Sequence, residues 1–182
     1  MIKMEKKIKS TPIYEGKIIK VELDEVELPN HQIGYREIVR HHGGVGILAI
    51  IEGKILLVKQ YRYAQQAETL EIPAGKIELD EDPYLTGMRE IEEETGYHAE
   101  SLTLFSKALP TPGYCTEVLY LYEANELKKA EHPLSCDEDE FIDVCMMDIQ
   151  DAYEAVMAME IIDAKTIIAI MYAYNRYGKK DA

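Results

Sequence analysis

Residues 75–97 read GKIELDEDPYLTGMREIEEETGY. Asp82 followed by Pro83 marks a helix start, because the Asp side chain accepts from unpaired amides and Pro fits the first helical position. Gly96 supplies the stop. At about 100° per residue, Tyr84, Leu85, Met88, Ile91 and Thr95 fall on one side, expected to face a core. Glu90, Glu93 and Glu94 are expected on the other. Glu90 and Glu94, four apart, point the same way with Glu93 beside them. Like charges so spaced cost about 0.2–0.5 kcal/mol per pair on an isolated helix, so a cation is expected against them. Magnesium or manganese suits that place, since hard divalent ions take carboxylate and carbonyl oxygens and also bind phosphates. The bland alternative for three glutamates is a solvated face. Arg89 either ion-pairs with one of these carboxylates or reaches solvent. Glu81, just before the helix, is favoured by the helix dipole whatever else it does.

The chain has 182 residues, 47% of them hydrophobic, enough for one full core with little room for a second domain. Its formal net charge of −14 disfavours nucleic acid and anionic membranes, and would repel a phosphate-bearing substrate unless bound metal reversed the sign locally. Cys115, Cys136 and Cys145 form no Cys-x-x-Cys pair and leave one odd, so neither a disulfide framework nor a zinc site is expected. The charged start, Met1 to Ser10, lacks the apolar run of a signal peptide. The apolar stretch from Ile167 to Tyr174 is far short of the ~20 residues that cross a bilayer. A cytoplasmic protein is expected.

Periodicity indicates mixed α and β. Lys17 to Leu28 and Tyr35 to Arg40 read as strands separated by turn residues, and Val45 to Ile51 and Lys54 to Gln60 as a hairpin turned at Glu52-Gly53. Leu70 to Pro73 is a short strand leading into Ala74-Gly75. Leu102 to Lys107, Glu117 to Ala124 and Phe141 to Met146 read as further strands. Ile149 to Met159 and Ala164 to Tyr177 read as helices, the second started by Asp163 and ended by Gly178. Helices on two faces of a mixed sheet give an α/β/α sandwich. The organisation expected is an N-terminal strand region, residues 1–40, followed by a domain at 41–178.

Gly75, five residues, Glu81, seven residues, then Arg89-Glu90-Ile91, Glu93-Glu94, Gly96 and apolar Tyr97 match the signature of the Nudix hydrolases at every fixed position, and the chain resembles that family. The likeness runs from about Ile13 to Tyr174 and narrows. Val58-Lys59-Gln60-Tyr61-Arg62, Glu71-Ile72-Pro73-Ala74-Gly75, Thr111-Pro112-Gly113 with Glu117 after it, and the acidic loop before Phe141 are arranged as in ADP-ribose pyrophosphatases. Pro112 stands sixteen residues beyond Gly96, where that subfamily has its marker proline. Relatives often carry serine where Thr111 stands, which bears on substrate breadth.

The resemblance implies roles residue by residue. The Ala74 carbonyl, Glu90 and Glu94 are similar to metal ligands, with Glu93 supporting metal or water, and Glu81 matches a glutamate at or near that site. Arg89 is expected to fix a motif carboxylate, and Gly75 to let the backbone come close to metal and phosphates. Arg62 and Glu71 match positions near the substrate's phosphates and terminal ribose. Tyr14 and Arg36 match substrate contacts of the N-terminal region, although an arginine in a strand is as readily a partner for a neighbour such as Glu37. A catalytic glutamate is expected from Asp137-Glu138-Asp139-Glu140, with Glu138 and Glu140 both fitting; the alternative is a solvated acidic loop. The implied reaction is Mg²⁺-dependent hydrolysis, Mn²⁺ being the other candidate ion, of a nucleoside diphosphate sugar, ADP-ribose giving AMP and ribose 5-phosphate. The subfamily also implies a homodimer. The alternatives are another Nudix substrate (a different sugar nucleotide, a dinucleoside polyphosphate or an oxidised nucleotide) and a non-catalytic nucleotide-sensing module.

Overall fold

The computed structural model describes residues 3–132, 134 and 141–178. They form two compact units, one holding the chain up to Gly43 together with Leu109–Val118, the other Gly44–Ala108 with the chain from Leu119 onward. The loop that carries Pro112 thus belongs with the N-terminal strands and not with the rest of 41–178.

In the first unit β1 (Lys6–Glu15), β2 (Lys20–Glu27) and β3 (Ile33–Arg40) make an antiparallel sheet in that order. Strand β1 has no counterpart in the sequence reading. Its residues, KKIKSTPIYE, are nearly all exposed and keep no apolar alternation, so no local signal marks it; it is held by pairing with β2 from Lys6↔Glu27 to Glu15↔Lys20.

The second unit contains β4 (Gly44–Leu48), β5 (Ile50–Ile51), β6 (Lys54–Arg62), β7 (Ala67–Glu71), β8 (Ala74–Lys76), α1 (Pro83–Thr95), β9 (Tyr97–His98), β10 (Ser101–Ala108), β11 (Leu119–Asn125), β12 (Lys128–Lys129), β13 (Ile142–Asp148), α2 (Ile149–Met157) and α3 (Ala164–Ala173), which runs on into a π-helical turn, Tyr174–Gly178. One sheet has the order β10-β11-β4-β8 and is mixed, because β11 and β4 are parallel while the outer pairs are antiparallel. A second, antiparallel sheet runs β13-β6-β5 with β7 on β6. The short β9 pairs with β12, and neither is marked in the sequence.

Strand alternation sorts side chains between two cores. Val45, Ile47 and Ala49, with Leu56 and Tyr122, pack against Ile91 of α1. Their neighbours Leu48, Ile55, Leu57 and Leu121 pack instead with Ala152 of α2 and Ala169, Ile170 and Ala173 of α3. Helices therefore cover both faces of the strands, which is the α/β/α arrangement within this unit. The β5–β6 hairpin turns at Glu52 and Gly53, both at positive φ as a type I′ turn requires.

Helix α1 begins and ends as its sequence dictates. Asp82 caps it by accepting from the Tyr84 amide at 2.8 Å, Pro83 is the first helical residue, and Gly96 closes it at φ 71°, in the left-handed region. Its faces differ from the expectation. The buried residues are Thr86, Gly87, Glu90, Ile91 and Glu94, while Leu85 is 60% exposed. Leu85 stands about 200° from Gly87 around the helix and so points outward. Glu90 and Glu94 lie on the inward arc, not on the opposite side from it.

Candidate active site

Strand β8 brings Ala74 and Gly75 alongside α1. The Ala74 amide donates to Glu94 Oε2 at 2.9 Å. A Cβ on Gly75 would stand 1.9 Å from both Cδ and Oε1 of Glu90, so the missing side chain is the space that the Glu90 carboxyl fills. That is a more specific demand for glycine than room for backbone approach. Two carboxylates of the helix are thereby drawn inward and packed against the β8 backbone.

Arg89 gathers the remaining acids. Its Nη1 lies 2.6 Å from Glu93 Oε2 and 2.9 Å from Glu90 Oε1, while Nε and Nη2 reach Glu81 at 3.3 and 3.4 Å. The Glu78 amide also donates to Glu81 Oε2, at 3.1 Å, which fixes this loop acid against the helix. Arg89 is therefore an intramolecular partner and not a solvent bridge. Burial works against its charge, but Glu81, Glu90 and Glu93 more than offset this and hold it protonated far above any physiological pH. Burial likewise pushes Glu81 up, and the Arg89 guanidinium and the Glu78 amide outweigh it, so Glu81 sits below the usual carboxylate range. Among the described residues no group of three or more His, Cys, Asp or Glu is arranged to hold an ion as the side chains lie. The acids gathered here nonetheless offer carboxylate oxygens. A hard divalent cation takes that set, and a soft or imidazole-seeking metal does not.

A second charged cluster lies in the same unit. Arg62 at the end of β6 forks onto Glu71 at the end of β7, Nε to Oε1 at 2.7 Å and Nη2 to Oε2 at 2.6 Å. Thr69 donates to Glu71 Oε1 at 2.5 Å, and Lys165 of α3 donates to Glu71 Oε2. Only 3% of Glu71 is exposed. Burial pushes its carboxyl up, but Arg62, Lys165 and Thr69 together bring it down to about 2. Arg62 is held above its ordinary value by the Glu71 hydrogen bonds, burial opposing, with the charges of Glu71, Glu94 and Asp163 adding to the rise. Asp163 caps α3 by accepting from the Thr166 amide at 3.0 Å and its hydroxyl at 2.6 Å, and it also holds Lys165 at 3.1 Å. The Thr166 hydroxyl in turn receives the Ile72 amide at 2.9 Å. Sequence reasoning finds Asp163 as a helix start and misses Lys165 altogether, because its partner Glu71 lies 94 positions away.

Three of the expected substrate residues belong to the first unit. Tyr14 lies on β1, 57% exposed. Arg36 on β3 bonds Glu5, Nε to Oε2 at 3.0 Å, and its own neighbour's carbonyl at Tyr35; Glu37 is not its partner. Pro112 sits in a turn in which the Tyr114 and Cys115 amides both donate to the Thr111 carbonyl. The same unit holds an open pocket of ≈620 Å³ lined by Ile13, Val21, Leu23, Val39 and Tyr114 with Glu22 and Glu37 at its sides. Glu138 and Glu140 lie outside the described residues. Cys115 and Cys145 are both free thiols. Among the described residues no helix is long and apolar enough to cross a membrane.

Residues 40–169 match the NUDIX domain family, and residues 5–39 match the nucleoside diphosphate sugar hydrolase N-terminal domain. Two curated relatives stand equally near. The chain is 44% identical over 169 residues to the ADP-ribose pyrophosphatase of Bacillus subtilis (strain 168), an alignment covering 92% of this chain and 91% of the relative. It is also 44% identical, with the same coverage, to the methanol dehydrogenase activator of Bacillus methanolicus. A solved structure described as an ADP compounds hydrolase superposes with a TM-score of 0.84 at 19% identity, covering 97% of this chain and 95% of that one, a likeness of fold.

Proposed function

This chain belongs to the Nudix family, and from that premise we propose that it is a divalent-metal-dependent hydrolase that cleaves the pyrophosphate of ADP-ribose to AMP and ribose 5-phosphate. The observation that carries the reaction class is the assembly around α1, where Arg89 gathers Glu81, Glu90 and Glu93 while Glu94 accepts from the Ala74 amide. The similarity to an ADP-ribose pyrophosphatase along almost the whole chain supports the substrate.

In this reading the Ala74 carbonyl and the carboxylates of Glu90 and Glu94 would hold Mg²⁺ or Mn²⁺, with Glu93 supporting the ion or a water beside it. When bound, the ion supplies positive charge for the phosphate oxygens and makes the attacking water more acidic. Arg89 holds Glu81, Glu90 and Glu93 together beside α1. Gly75 keeps open the space that Glu90 occupies. Arg62, forked on one edge by Glu71, presents its guanidinium to a substrate phosphate, a geometry suited to planar, bidentate recognition. Tyr14, Arg36 and the Pro112 turn serve the nucleoside end. Glu138 or Glu140 accepts the proton of the water as its oxygen bonds to phosphorus and the bridging P–O bond breaks. No covalent enzyme intermediate is required, and positioning does most of the work. The protein acts as a homodimer in the cytoplasm.

A panel of ADP-ribose, GDP-mannose, a dinucleoside polyphosphate and an oxidised nucleotide, each with saturating Mg²⁺, tests the assignment. ADP-ribose is expected to give the highest kcat/KM. Rapid turnover of another member with ADP-ribose untouched overturns the substrate but keeps the class, and tight ADP-ribose binding with no product from any member makes the chain a sensor. The equal likeness to a methanol dehydrogenase activator favours a second reading, in which the chain raises the rate of a partner dehydrogenase. Dehydrogenase rates measured with and without the chain decide it.

A further inference from the structure

The Glu71 cluster sets two cations, Arg62 and Lys165, against two acids, the buried Glu71 and the more exposed Asp163. Glu71 faces both Arg62 and Lys165, and the two differ sharply in position: 40% of the Arg62 side chain is exposed, against 10% for Lys165. A buried carboxylate with one counter-ion uses that counter-ion up, because the pair is then neutral as seen from outside. Lys165 changes this. It meets Glu71 from the inside, at the start of α3, while its other neighbour Asp163 also accepts from the Thr166 amide and hydroxyl at the positive end of the helix. Arg62 then keeps its Nε and Nη2 edge clamped by Glu71 while its side chain remains 40% exposed.

We propose that Lys165 is a positioning residue that frees the charge of Arg62 for a substrate phosphate by serving as the internal counter-ion of Glu71. It does not touch the substrate. The inference rests on the reading that Arg62 meets the pyrophosphate, and it explains why an ammonium is kept almost out of water beside a strand end. The same links reach the acids of α1. The Thr166 hydroxyl, next to Lys165, accepts from the Ile72 amide, and two residues further on the Ala74 amide donates to Glu94, so the segment from Glu71 to Gly75 is tied at one end to α3 and at the other to α1.

The test is steady-state hydrolysis of ADP-ribose with Mg²⁺ by the full chain carrying Lys165→Met, alone and together with Arg62→Ala. Without Lys165, Glu71 spends Arg62, so KM is expected to rise by about 10-fold with kcat changed by less than about 2-fold; in the Arg62→Ala background the same substitution should move KM by less than about 2-fold. Lys165→Arg, which keeps the charge, is expected to restore KM to within about 3-fold of the parent. An unchanged KM in folded Lys165→Met, or the same rise with and without Arg62, overturns the proposal, since a merely structural lysine would act independently of Arg62. If Lys165→Met alone does not fold, the pair Glu71→Gln with Lys165→Met removes both buried charges. That pair should have the KM of Glu71→Gln to within about 2-fold, and a further rise of about 10-fold overturns the proposal. Failure of the parent chain to hydrolyse ADP-ribose would show itself before any variant is made, and it removes the underlying reading instead.

Discussion

Two clusters in the second unit are built from the same side chains, arginine and glutamate, and are balanced in opposite ways. Around α1 one guanidinium, Arg89, meets three carboxylates, and every acid there is within reach of the β8 backbone or the helix itself. At the ends of β6 and β7 one carboxylate, Glu71, meets two cations. The first arrangement is acid-rich, as a site for a divalent ion has to be. In the second, on the role proposed for Lys165, Arg62 would be left to meet an anion. On a chain with a net charge of −14, the two together would serve the proposed function by bringing a pyrophosphate substrate to a water molecule.

If the α1 cluster is the cation side, its acids should matter most for turnover. Glu93→Gln or Glu94→Gln is expected to lower kcat by about 10³-fold with the circular dichroism spectrum unchanged. Parent-like rates in either variant would erase the contrast between the clusters. Gly75→Ala is expected to cost about 100-fold in kcat and to raise the Mg²⁺ concentration needed for half-maximal rate, because its Cβ must displace the Glu90 carboxyl that stands 1.9 Å from it. A metal titration showing no shift would mean that Glu90 is not part of the cation side.

The anion side should respond in KM. Arg62→Ala is expected to raise KM for ADP-ribose by about 30-fold with a smaller change in kcat. A pure kcat loss would move Arg62 into the chemistry. The smallest effect concerns stability. Glu71 is depressed to about 2, below the ordinary carboxyl near 4.3, so its ionisation stabilises the fold above the ordinary value, and that contribution is lost as pH falls towards 2. Urea midpoints of the parent and Glu71→Gln should therefore differ most above about pH 5 and converge by about pH 2. A constant gap across that range would mean that the two cations do not compensate Glu71.

Much of the cation side is legible from local sequence, and much of the anion side is not. Asp82, Pro83 and Gly96 set the ends of α1 by short-range hydrogen bonding and φ preference, and Glu52-Gly53 fixes a hairpin in the same way. Strand alternation in β4, β6 and β11 places their apolar residues in the two cores without any need of distant information. What escapes the sequence is set by distant partners. Glu90 and Glu94 turn inward because Gly75 and the Ala74 amide, on another strand, receive them. Lys165 meets Glu71, and Arg36 meets Glu5, only once the sheet registers are formed. Strand β1 is exposed along nearly all its length and exists through pairing, so its residues carry no burial pattern to read.

The most direct test of the central claim is product analysis of ADP-ribose incubated with the chain and Mg²⁺ in ¹⁸O-labelled water. Equal amounts of AMP and ribose 5-phosphate are expected, with one label on the phosphate that water attacked and none without the metal. Intact ADP-ribose, or product formation at the same rate after chelation, contradicts the account.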